Sequence, residues 1–150
     1  MKTKLRKITI NKEIYRWKRT HHHLTVFKYS KCVEKVTIYL EGFKKSPLRL
    51  SFREEDNLLF KKHLEQEKWC VGYPEAGVIW RYQSNTDEKQ PTGILYINLN
   101  RPAVIAALLL YFSQNGWLPK EAKRPFVIDD ALRFLDIIAW PQDNNSASTT

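Results

Sequence analysis

Short segments rich in β-branched and aromatic residues, separated by turn-forming residues, occupy much of positions 8–99 of this 150-residue chain. Alternation is clearest in LRLSF, where Leu48, Leu50 and Phe52 fall on one side of an extended chain and the polar residues on the other. A period of two predicts a strand with one buried face and one polar face. The predicted strands cover residues 8–10, 13–19, 24–29, 32–40, 48–52, 78–82 and 94–99. The second of two predicted hairpins turns at Ser30-Lys31.

The pattern changes after Asn100, and helices are predicted from there. Apolar residues occupy nearly every position from Ala103 to Phe112, with Pro102 at an opening helical position and Gly116 where a helix would end. This segment predicts a core helix buried on most sides, with Asn100 near its N-cap.

A second C-terminal helix is predicted to begin after Asp129 or Asp130, and a short helix is predicted over residues 54–68. The inward-facing residues expected on the C-terminal helix are Ala131, Leu132, Leu135 and Ile138. The fold class that follows is α+β: a single domain over residues 1–140, mainly antiparallel sheet, with two C-terminal helices packed on one face. The polar segment 141–150 is predicted to be a disordered tail.

Positive charge is concentrated in the first third of the chain. Residues 1–50 contain 14 lysines and arginines against 3 acidic residues, whereas residues 51–150 contain 11 against 13. This asymmetry predicts a basic surface that attracts an anionic partner, with an acidic protein first and nucleic acid second. Base stacking would need exposed aromatics beside the charge, whereas contact with phosphates would not. The residues expected on this surface are Arg16, Lys18, Arg19, Lys28, Arg49 and Arg53.

Three consecutive histidines interrupt the basic region. On a strand, His21 and His23 would project to one side and His22 to the other, and His-x-His is half of a metal site. A catalytic zinc ion usually has three protein ligands and a water molecule, so Cys32 or Glu34 would have to supply the third ligand. A set of His21, His23 and Glu34 holding zinc or another divalent metal gives the alternative function, a metal-dependent hydrolase or nuclease. The competing interpretation is that the histidines end an edge strand and either meet solvent or bond backbone carbonyls.

Other function classes find no support in the residues. The chain has no glycine-rich phosphate loop, no G-x-S-x-G, no H-E-x-x-H and no C-x-x-C. Its two cysteines are too few for a disulfide framework, and it has neither 18 consecutive apolar residues nor a secretory signal. We therefore expect a cytoplasmic binding domain rather than an enzyme, with no cofactor and no membrane partner. A sheet edge could pair with a second copy of the chain.

Overall fold

The computed structural model describes residues 4–26, 29–53, 69–72, 75–83 and 93–141. These residues form eight strands, one α-helix and one 3₁₀ turn. In chain order the elements are β1 (Arg6–Ile10), β2 (Glu13–Val26), β3 (Tyr29–Leu40), β4 (Leu48–Arg53), β5 (Cys70–Val71), β6 (Val78–Gln83), β7 (Gly93–Asn98), α1 (Pro102–Ser113), β8 (Phe126–Ile128) and the 3₁₀ turn Ala131–Phe134.

The strands form two sheets. The larger has five strands in the order β1-β2-β3-β4-β8, in which the pairings among β1 to β4 are antiparallel and β8 joins β4 in parallel. The smaller has three antiparallel strands in the order β5-β6-β7. The described residues therefore form a sheet-dominated α+β domain, which confirms the α+β class and the mainly antiparallel sheet of the prediction.

One face of the five-stranded sheet, here called the inner face, supplies much of the core. The face carries Trp17 and Ile38, which pair across β2 and β3, and both are almost completely buried. Helix α1 and the second sheet complete the same hydrophobic cluster. Their buried members are Ile79, Ile97, Val104, Ile105, Leu108, Leu109 and Phe112, and Leu99, between β7 and α1, joins the same cluster. The opposite face of the five-stranded sheet is called the outer face.

The prediction of two C-terminal helices is wrong. Among the described residues only Pro102–Ser113 is an α-helix, and Ala131–Phe134 is a single 3₁₀ turn. Asp130 makes no side-chain cap, because its carboxylate pairs with Arg133 at 2.8 Å. The first turn is thus not anchored as an N-cap would anchor it. The helix predicted over 54–68 and residues 142–150 of the predicted tail lie outside the described residues.

Helix α1 is more exposed than its composition predicts. Leu110 is 38% exposed, so the helix buries one face rather than most of its surface. Its N-cap is Arg101, without a side-chain cap, and Asn100 is engaged elsewhere. No helix among the described residues has both the length and the apolar character needed to cross a membrane.

The hairpin predicted to turn at Ser30-Lys31 turns earlier. Val26 pairs with Tyr29, so β2 runs without interruption from Glu13 through the histidines to Val26. The interpretation that the histidines end a strand is therefore wrong, because the residues that follow, Leu24 to Val26, extend the pairing with β3. This register determines which side chains meet on the inner face.

Candidate functional site

A buried carboxylate organises the polar end of the inner face. Glu34 on β3 has no exposed surface, and both of its oxygens are used. Its Oε1 accepts a hydrogen bond from Arg19 Nη1 at 2.8 Å, while its Oε2 accepts one from the backbone N–H of Gly77 at 2.6 Å. The same Oε2 lies 2.5 Å from His21 Nδ1. A buried charge is stable only when it is paired and hydrogen-bonded in this way.

The β2–β3 register explains why these side chains meet. His21 lies opposite Glu34, and His23 lies opposite Cys32. Residues directly opposite each other in an antiparallel pair project to the same face of the sheet. Arg19, two residues before His21, shares that face and reaches Glu34 diagonally.

Asn100 extends the network to the segment before α1. Its Oδ1 accepts a hydrogen bond from Arg19 Nε at 2.6 Å, and its Nδ2 donates to the carbonyl of Ala76 at 3.2 Å. The sequence predicts this residue as a helix cap, and no local pattern reveals its partner because Arg19 lies 81 positions away. We call Arg19, His21, Glu34, Gly77 and Asn100 the Glu34 cluster.

The turn between β5 and β6 covers this cluster closely. Gly72 and Gly77 have φ of +71° and +89°, a region that side chains other than glycine rarely adopt. A Cβ atom on Gly72 would lie 2.6 Å from His21 Cε1, and one on Gly77 would lie 2.5 Å from Asn100 Nδ2. Glycine at both positions therefore allows the backbone to approach the polar side chains. The sequence shows a glycine-containing loop here but not what it approaches.

The two histidines on the inner face point their outer nitrogens at each other. His21 Nε2 lies 3.1 Å from His23 Nε2, with the rings nearly perpendicular at 83°. The Cys32 side chain joins them, since one ligand atom from each of the three residues lies within 4.8 Å of the others. Of the predicted ligands, His21 and His23 are brought together, while Glu34 contacts His21 on its other nitrogen, Nδ1. The third residue grouped with the two histidines is therefore Cys32 and not Glu34.

The predicted basic residues divide between the two faces. The strand register places Arg16, Lys18, Arg49 and Arg53 on the outer face, whereas Arg19 lies on the inner face against Glu34. Lys28 lies outside the described residues. Among the residues whose side chains the structure describes, Lys7 and Lys35 are two further cations of the outer face that the prediction omitted, and the alternation of their own strands was the available signal. We call this set the basic outer face: Lys7, Arg16, Lys18, Lys35, Arg49 and Arg53.

Little negative charge offsets the basic outer face. Within the described parts of β1 to β4 the acidic residues are Glu13 and Glu34, and the register places both on the inner face. Glu41, just beyond β3, pairs with Arg16 at 2.9 Å. Cations also alternate with hydroxyls across the strands: Lys18 and Arg49 flank Thr37. The face can therefore form several charge-assisted hydrogen bonds to one anionic surface.

Comparison of the chain with protein-family models, with curated proteins and with solved structures found no match. The functional proposals below therefore depend on two arrangements in the structure, the basic outer face and the histidine–cysteine group beside the Glu34 cluster.

Proposed function

We propose that this chain is a cytoplasmic binding domain that recognises an anionic partner, foremost an acidic protein surface, through the basic outer face. One observation carries the proposal: six cations share one face of the sheet, and the acidic residues of the same described strands lie on the other face. Such a field steers an oppositely charged surface and fixes its orientation. The proposed cytoplasmic setting follows from the low cysteine content, two in 150 residues.

The side chains between the cations favour a protein partner over nucleic acid. By strand register the aromatic residues on the outer face of the described strands, besides His22, are Tyr29 and Tyr39 at opposite ends of β3, and Lys44 lies over the Tyr39 ring at 6.0 Å. Single-stranded nucleic acids are usually bound by several exposed aromatics that stack on bases. Hydroxyls such as Thr37 and Ser51 can donate hydrogen bonds to carboxylate oxygens and to phosphate oxygens alike, so the preference for a protein rests on the few aromatics.

Reversing two exposed charges tests this proposal. We expect Arg49→Glu combined with Arg53→Glu to weaken binding of fluorescent polyglutamate by at least about tenfold, or about 1.4 kcal/mol, because attraction along β4 becomes repulsion. The matched control is Lys123→Glu with Arg124→Glu, which changes net charge equally at exposed positions outside the sheet strands. Fluorescence anisotropy measures the affinity, and circular dichroism checks the fold.

The same titrations distinguish the partner classes. A short duplex DNA that binds more tightly than polyglutamate, with an affinity that falls steeply with salt, would replace the acidic protein by nucleic acid. Equal losses in the two double variants would show that net charge alone matters, and would contradict recognition by the basic outer face.

A second candidate function, metal-dependent hydrolysis, is supported by the 3.1 Å approach of His21 Nε2 to His23 Nε2. A zinc ion with three protein ligands can activate a water molecule for attack on an ester. Its test is zinc-dependent hydrolysis of p-nitrophenyl acetate and bis-p-nitrophenyl phosphate, which His23→Ala should abolish and His22→Ala should leave intact. Hydrolysis that is unaffected by both substitutions would reject this candidate.

A further inference from the structure

We propose that His21, His23 and Cys32 bind one zinc ion, and that Glu34 positions His21 for this purpose. This zinc site does not depend on the basic outer face. The hydrolase candidate, in contrast, requires the zinc site. The site differs from the ligand set expected from the sequence, because a thiolate replaces Glu34 as the third donor.

The distances between the ligand atoms suit a tetrahedral ion. With Zn–N bonds of about 2.0–2.1 Å, two imidazole nitrogens on one zinc ion lie roughly 3.3 Å apart, and His21 Nε2 and His23 Nε2 are 3.1 Å apart. The three ligand atoms lie within 4.8 Å of one another, and a Zn–S bond of about 2.3 Å needs roughly 3.6 Å between sulfur and nitrogen. Zinc binding therefore requires the Cys32 sulfur to lie about 3.6 Å from each nitrogen, within the 4.8 Å that bounds the present separations.

Glu34 fixes which nitrogen of His21 is available. An ionised carboxylate only accepts hydrogen bonds, so His21 Nδ1 must carry the proton in its 2.5 Å contact with Glu34 Oε2. The neutral ring then presents the lone pair of Nε2 toward His23. Zinc-binding histidines in general have this arrangement, with the second nitrogen donating to a carboxylate or carbonyl. Arg19 and the Gly77 N–H hold Glu34 in place.

The donors define the class of metal. Two imidazoles and a thiolate provide nitrogen and sulfur, which zinc prefers, whereas calcium and magnesium take oxygen ligands. His23 is exposed and His21 is about one-fifth exposed, so an ion can enter from solvent. Three protein ligands leave one position of a tetrahedral ion for water or another small ligand.

Without a metal, the same 3.1 Å separation would be an N–H···N hydrogen bond between two neutral imidazoles, and Cys32 would take no part in it. The thiolate is therefore the group that separates the two explanations. A second distinction comes from the triplet itself, since His22 lies on the outer face and contacts Thr20 Oγ1 at 3.0 Å.

The experiment uses the full chain produced without a histidine tag, stripped by a chelator and titrated with Zn²⁺ and Co²⁺. We expect about one zinc ion per chain by mass spectrometry, a thiolate-to-cobalt charge-transfer band, and an increase in melting temperature with zinc. Cys32→Ser should remove the band and weaken zinc binding by at least about 100-fold, as should His23→Ala. The matched control His22→Ala should behave like the unmodified chain.

These variants separate metal binding from folding, because the three groups that contact the Glu34 carboxylate, namely Arg19, His21 and the Gly77 N–H, are left unchanged. Near-ultraviolet circular dichroism verifies the fold of each variant. Substoichiometric zinc in the unmodified chain, or a cobalt spectrum that Cys32→Ser leaves unchanged, would overturn the proposal. Failure of polyglutamate binding would leave these results unaffected, so the two proposals fail separately.

Discussion

Replacing Glu34 by alanine is expected to lower the free energy of unfolding by about 3–5 kcal/mol. The carboxylate is fully buried and is the acceptor for Arg19 Nη1 and the Gly77 N–H, as well as the partner of His21 Nδ1. Its removal leaves a partly buried guanidinium and a buried N–H without that acceptor, and a cavity where the side chain was. Urea unfolding of the metal-free chain, followed by tryptophan fluorescence, measures the change.

The matched control for Glu34→Ala is Glu41→Ala. Glu41 also pairs with an arginine, Arg16, but the two side chains are 49% and 38% exposed. An exposed pair is worth about 0–1 kcal/mol because water and salt screen both charges. Similar small losses in the two variants would contradict the structural role assigned to the buried carboxylate.

A double-mutant cycle separates the loss of the attraction between Arg19 and Glu34 from the cost of leaving one of the two charges buried without its partner. Arg19→Met keeps the length of the side chain, and the Glu34→Ala/Arg19→Met double variant removes both charges. Because the two residues share a network, we expect the double variant to lose less stability than the sum of the single losses, by about 1–3 kcal/mol. Additive losses would indicate that Arg19 and Glu34 act independently.

Alternation was enough to predict most of the strands and to separate His21 and His23 from His22, but it divided β2 into 13–19 and 24–29 and did not predict β5. It was not enough to decide between Cys32 and Glu34 as the third residue of the proposed zinc site. A turn at Ser30-Lys31 would place His23 opposite Ile38, whereas the observed turn after Val26 places it opposite Cys32. Both registers keep the same residues on the inner face, so the hydrophobic pattern does not choose between them. The turn residues were the deciding feature, and they carry no strong hairpin signal.

Contacts between distant elements could not be predicted, because local sequence patterns do not show which elements pack together. Asn100 precedes a proline-initiated helix, and local propensity favours a cap there, but its side chain bonds Arg19 and Ala76 instead. The close approach of Gly77 to Glu34 depends equally on how the second sheet packs on the first.

The basic outer face could be predicted with less knowledge of tertiary structure. Alternation along β2 and β4 is enough to give each strand a basic side, with Arg16 and Lys18 on one strand and Arg49 and Arg53 on the other. The same alternation places Arg19 on the opposite side of β2.

Substitution of Gly77 by alanine is expected to show how tightly the β5–β6 turn is held against the Glu34 cluster. The residue has φ of +89°, so alanine is strained there by about 1–2 kcal/mol. Its Cβ would also lie 2.7 Å from Arg19 Nε and 2.5 Å from Asn100 Nδ2. Relief of that overlap requires the hydrogen-bonded side chains or the turn to move, which costs about 1–3 kcal/mol more. The expected total is about 2–5 kcal/mol.

Gly42→Ala isolates the part of this loss that comes from the cluster. Gly42 has φ of +92°, nearly the same backbone strain as Gly77, but a Cβ atom there would meet nothing within 4 Å. We therefore expect Gly42→Ala to cost only the conformational term of about 1–2 kcal/mol, measured by the same urea unfolding. The excess loss in Gly77→Ala then reports the packing of the turn on Arg19 and Asn100. Equal losses in Gly77→Ala and Gly42→Ala would mean that the turn moves away from Arg19 and Asn100 at no cost. The turn would then contribute nothing to holding Glu34, which β2 and β3 would hold alone.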